Sequence, residues 1–146
     1  MAFPAALKKL QTELIDARRG YEEALKDSTD GDVADLFRQM LDVRTTAIGQ
    51  IRDALAAAGE ADEEHGSFMS LVHRTVVSIR ATVSGLGPDS LPAFANGEAQ
   101  ILLAYNDAID ECRPYPKIAG VLETQRAELS NMVSKMNQTA AVQGGD

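Results

Sequence analysis

Arg18, Arg44, Glu98 and Gln125 are the residues whose type and placement raise a question of chemistry. Each falls near the middle of a long stretch whose other core-facing positions are apolar. A core-facing helix normally keeps such side chains out of its apolar stripe, so four of them at mid-helix mark a polar cluster at the centre of a helical bundle. The chemistry that position can carry is metal ligation. A di-iron carboxylate site takes Glu from two helices and Glu-x-x-His from two others, about six ligands in all. Here the corresponding stations hold Arg18, then Arg44-x-x-Ala47, then Glu98, then Gln125-x-x-Glu128. One or two carboxylates remain, no His does, and a guanidinium cannot ligate.

The expectation is therefore a salt-bridge and hydrogen-bond network that fixes helix register, with no metal and no cofactor. A charge buried alone is costly, so these groups need partners. Arg44 with Glu98 is the favoured pair. Arg18 and Gln125 supply further donors, and Glu128, one turn after Gln125, is a second acceptor. The remaining chemistry is thinner. His73 lies off the main stripe of its helix with no second His at helical spacing, and with Tyr105 it marks a candidate pocket. The acidic run Glu60, Asp62, Glu63 and Glu64 lacks the Gly and spacing of a calcium loop and reads as solvated. Cys112 lies on a core face and reads as a small buried hydrophobe. No nucleophile elbow and no Gly-rich phosphate loop occurs.

The elements that must position these residues are helices. Phe3, Leu7, Leu10, Leu14, Ala17, Tyr21 and Ala24 recur at alternating threes and fours, which predicts a helix over 4–26 with Pro4 in its first turn. After DSTDGD, with Asp30 or Asp32 as N-cap, a second helix is predicted over 33–58 with the stripe Val33, Phe37, Met40, Ile48, Ile51 and Leu55. Gly59 ends it. A shorter third helix is predicted over 68–84, capped by Ser67, before the GLGPDS breaker. Ser90 is expected to cap a fourth, with Pro92 in its first turn and the stripe Leu91, Phe94, Leu102, Tyr105, Ile109 and Cys112. Gly97 inside it costs about 1 kcal/mol against Ala, which predicts close approach of another helix, the third. RPYP stops it. Pro116 opens the last helix, with the stripe Ile118, Val121, Leu122, Leu129, Met132 and Met136.

No segment alternates with period two for long enough to form a strand. The expected fold is all-α, a ferritin-like antiparallel four-helix bundle made of two helical hairpins, with an extra shorter crossover helix between them. Residues 1–140 form one domain, and 141–146 a disordered tail.

The whole-chain properties narrow the function classes. A chain of 146 residues is one domain large enough to bury a core. Aromatics are only 5% and Trp is absent, so the core is expected to be aliphatic. A net charge of −8 argues against nucleic acid as a partner, which would need clustered Lys and Arg. The single cysteine rules out an intrachain disulfide and favours a reducing, cytoplasmic setting. No stretch reaches the roughly 18 apolar residues of a membrane span, and the opening MAFPAALKKL is too quickly charged for a signal peptide.

The stretches LIDARRGYEEAL, LFRQMLDVRTTAI, LVHRTVV, NGEAQILLAYNDAI and VLETQRAEL, in this order and spacing, resemble an uncharacterised bacterial family of ferritin-like four-helix-bundle proteins, the domain of unknown function 2383. The resemblance covers about residues 7–136. It rests on Gly20 and Tyr21, Arg44, His73 and Arg74, Gly97 and Glu98, Tyr105 and Gln125. It implies a ferritin-like fold without an established activity. An acidic residue often precedes the Gly-Tyr pair in that family, where this chain has Arg18 and Arg19, a departure that counts further against a metal site. Two readings follow. One is a non-catalytic bundle with a structural, stress-related or partner-binding role, self-associating as a homodimer through a face that includes Met69, Val76 and Val77. The alternative is a metal- or small-ligand-binding descendant using Glu98, Glu128, Tyr105 and His73.

Overall fold

The computed structural model describes residues 4–28, 31–57 and 90–144. The expected helix over 68–84, His73, the acidic run from Glu60 to Glu64 and the apolar positions Met69, Val76 and Val77 lie outside the described residues. Among the described residues there are four helices and no strand: α1 (Ala5–Lys26), α2 (Gly31–Ala57), α3 (Leu91–Glu111) and α4 (Pro116–Gly144).

Pro4 stands just before α1 rather than in its first turn. Its ring holds φ at −58° while ψ stays extended at 150°, and its carbonyl accepts the Leu7 N–H at 3.1 Å. The Ser28 hydroxyl donates to the Ala24 carbonyl at 3.1 Å at the other end, satisfying a terminal acceptor, and Lys26 lies in the last turn where a cation suits the helix dipole. Asp32 falls inside the first turn of α2 and so is not its cap. Asp30 lies outside the described residues. Ser90 occupies the N-cap position of α3 with helical angles, φ −83° and ψ −18°, and makes no side-chain cap hydrogen bond. The expected serine cap is therefore absent, because a cap needs a non-helical backbone to aim its oxygen at the next turn. Pro92 does take the first turn of α3.

The turn between α3 and α4 is short. The Tyr115 N–H donates to the Cys112 carbonyl at 2.8 Å, and Pro116 begins the next helix. That helix continues to Gly144.

α1 packs on α2 and α3, and α4 packs on α3 and α2. The four helices thus close a ring around one core. Its aliphatic part includes Leu7, Leu10, Leu14, Met40, Ile48, Ile51, Leu122 and Leu129, all buried. Composition suggested little aromatic content in that core. Tyr21, Phe37 and Phe94 nevertheless gather into one trio, with ring centroids 5.4, 5.3 and 5.0 Å apart. Such pairs add about 0.5–1.5 kcal/mol each beyond their burial. The buried positions of α1 include Gln11, Ile15, Asp16 and Gly20 besides the predicted stripe. At 3.6 residues per turn they cover well over half of its circumference.

Candidate functional site

Glu98 is brought to the centre by α3, one turn after Phe94, and its side chain is 0% exposed. The same periodicity that buries Phe94, Ile101 and Tyr105 leaves it no route to water. Both carboxylate oxygens are engaged. Oε1 accepts from Arg44 Nη2 of α2, an ion pair in which the arginine is 2% exposed. Oε2 accepts from the Tyr21 hydroxyl of α1 at 2.7 Å. One carboxylate thus ties three helices together.

Charge and burial act against each other on these groups. Burial disfavours the charged guanidinium of Arg44 more than any single neighbour favours it, but the Glu98 carboxylate, Tyr21 and Tyr105 together outweigh burial and hold its pKa above the ordinary value. Burial, then the Glu98 charge, push the Tyr21 hydroxyl well above the usual tyrosine range. Tyr105 is also raised, first by burial and then by Glu98 and Glu128, although Arg44 pulls the other way. Both phenols are therefore neutral donors at any physiological pH, and neither is poised to act as a base.

A second polar group adjoins this one and carries no charge. Tyr105 of α3 donates its hydroxyl to Gln125 Oε1 of α4 at 2.9 Å. Gln125 Nε2 donates in turn to the Ala47 carbonyl at 3.3 Å and to Gln50 Oε1 at 2.7 Å, both on α2. From the opposite side, Gln11 Nε2 of α1 donates to the Ile48 carbonyl at 2.9 Å. Residues 44–50 of α2 are therefore held by all three other helices at one level.

Of the residues singled out by sequence, Arg44, Glu98, Gln125 and Tyr105 meet in this layer. Arg18 does not. It lies at intermediate exposure and makes no hydrogen bond to the cluster, whose α1 members are Tyr21 and Gln11. The side chain of Glu128 is exposed and acts on Tyr105 only through its charge. His73 lies outside the described residues. Gln11, Asp16 and Gln50 are polar residues that the apolar stripes alone do not single out. Gln11 sits between Leu10 and Leu14 on the seam, so its position was a signal. Asp16 is buried on the flank of α1, where the seam pattern gives none.

Buried Arg44 Nε and Gln11 Oε1 have no hydrogen-bond partner among the described residues, and neither has Glu13 Oε2. Also among the described residues, no three His, Cys, Asp or Glu side chains come together as a metal site, and no helix is long and apolar enough to cross a membrane. Cys112 is free and buried; burial, then Glu111, push its thiol up, away from the reactive thiolate. The neutral group reaches the surface at a cleft of about 200 Å³ between α2 and α4, lined by Gln50, Thr124, Gln125 and Glu128 among others.

A family profile described as Domain of unknown function (DUF2383) matches residues 4–111, most of the chain. No curated protein and no solved structure matches it.

Proposed function

The chain belongs to the DUF2383 family, and from that premise we propose that it is a non-catalytic ferritin-like bundle in which a buried Arg44–Glu98 pair stands where a di-iron site would. Its role is structural, stress-related or partner-binding. The observation that carries this reading is the state of Glu98. Both of its oxygens already accept from protein donors, and the charge beside it is a guanidinium that cannot be displaced by loss of a proton. A metal at this level would have to evict Arg44 from a position 2% exposed.

Several features support the antiparallel, ferritin-like topology. Gln11 meets Ile48 while Tyr21 meets Phe37, so partner numbers on α2 fall as those on α1 rise. Gln50 meets Gln125 while Gln39 meets Lys135, which gives the same sense to α2 and α4. The connections within each hairpin are short, and the one between α2 and α3, residues 58–90, is long enough for a crossover. Homodimerisation through Met69, Val76 and Val77 and a cytoplasmic setting complete the proposal. Light scattering tests the first, with a dimer mass expected and a monomer mass contrary to it.

The test of function is metal analysis of untagged protein from iron- and manganese-supplemented growth. Less than a tenth of an equivalent of either metal is expected. Stoichiometric metal lost in Glu98→Gln would overturn the reading and favour the metal-binding alternative.

A further inference from the structure

The cleft between α2 and α4 is a place where the neutral network around Gln125 meets solvent, and nothing in a purely structural role requires it. Its floor is Gln125, which is buried and fixed by Tyr105, Ala47 and Gln50. Because both amide hydrogens of Gln125 are spent on α2, the floor offers no free donor to an anion. The rim carries acceptors and one negative charge, beside the amide hydrogens of Gln50 and the hydroxyl of Thr46. The Thr124 hydroxyl gives its proton to the Gly120 carbonyl at 3.2 Å, leaving its oxygen lone pairs free. Gln50 Oε1 has one lone pair beyond its bond to Gln125. Glu128 adds a full negative charge. The walls are apolar, from Val43 and Val121 on opposite helices.

One carboxylate with a neighbouring hydroxyl acceptor over hydrocarbon walls suits a cation that carries its own hydrocarbon. A bare divalent ion prefers six or more oxygens and more carboxylate charge than one residue supplies. We propose that this cleft binds a small primary alkylammonium, its nitrogen bridging Glu128 and Thr124 and its chain lying between Val43 and Val121. The volume, about 200 Å³, is below the ~300–1,000 Å³ of sites for drug-sized ligands, which limits the ligand to a few carbons. The assignment does not rest on the state of Glu98, which is not among the residues lining the cleft.

The experiment is an NMR titration of the isotopically labelled chain with n-butylammonium chloride, with 1-butanol and magnesium chloride as separate arms. The expected result is saturable shifts of the Thr46, Thr124 and Glu128 amides with n-butylammonium, absent with 1-butanol. Glu128→Gln, an exposed change that leaves the fold intact, weakens the binding at least tenfold, and Thr124→Val weakens it severalfold. Non-saturating shifts, or equal binding by Glu128→Gln, overturn the proposal. So does saturable magnesium binding at these amides without n-butylammonium binding.

Discussion

Around Glu98 a full negative charge is closed in between Arg44 and Tyr21, whereas around Gln125 a neutral amide links Tyr105, Gln50 and the backbone of α2. Both groups occupy the same level of the molecule, and both hold α2. They differ in what failure costs. The charged group is sealed, so that either partner left alone is an uncompensated ion in a dry interior, which costs about 3–5 kcal/mol. The neutral group touches the surface cleft, and a lost partner there can be replaced in part by water. A single ion pair thus sets register at the sealed side, and amides finish the job where solvent is near.

The largest effect that would break this contrast is expected at Glu98. Glu98→Ala should lower stability by about 3–5 kcal/mol in urea unfolding, with Glu98→Gln costing clearly less because it keeps shape and an acceptor. If Glu98→Ala unfolds at the wild-type midpoint, the charged group is not sealed. Next comes Gln125→Leu, which strands the buried Tyr105 hydroxyl and should cost about 1–3 kcal/mol. A loss as large as that of Glu98→Ala would erase the distinction between the two groups.

Alkaline pH separates them by another route. The Tyr21 pKa is raised by burial and then by Glu98, so the folded chain holds that proton more tightly than the unfolded one. The stability this represents is fully present below the ordinary tyrosine value of about 10 and is lost as pH rises beyond it. Melting temperature should fall more steeply above pH 10 in the wild type than in Tyr21→Phe; parallel curves would contradict the burial of this hydroxyl beside a charge. The smallest effect is at Glu13, a partly buried carboxyl raised by burial and, against the pull of Lys9, by Asp16. Its contribution is present below the usual glutamate value and lost as pH rises, so at neutral pH the ionised group is a liability. Glu13→Gln should raise the melting temperature by a degree or two at pH 7, within the roughly 0.5 kcal/mol range of peripheral changes, and leave it unchanged at pH 4. A gain of equal size at both values would show that charge is not the cause.

The helices were legible in the sequence because their apolar positions recur at threes and fours and because Pro4, Pro92 and Pro116 mark their starts. Arg44, Glu98 and Gln125 were legible as a layer because each interrupts such a stripe at mid-helix. Arg18 was misplaced because a long arginine beside a seam can lie along its flank, while Tyr21, one turn on, presents the hydroxyl that the carboxylate uses. Ser90 shows a similar limit: its type suits a cap, but cap geometry depends on the backbone entering the helix. The aromatic trio was hidden because composition counts residues and not their convergence. Gln50 belongs to an exposed face and enters the network only because α4 brings Gln125 over it, which no pattern within α2 reveals.

The most direct test of the central claim is a double-mutant cycle on the charged pair, comparing Arg44→Met, Glu98→Leu and the two together by urea unfolding. The pair reading predicts that each single change costs about 3–5 kcal/mol and that the double variant recovers most of that loss, because two matched apolar side chains strand no charge. Additive losses, with the double variant the least stable of the three, would contradict it.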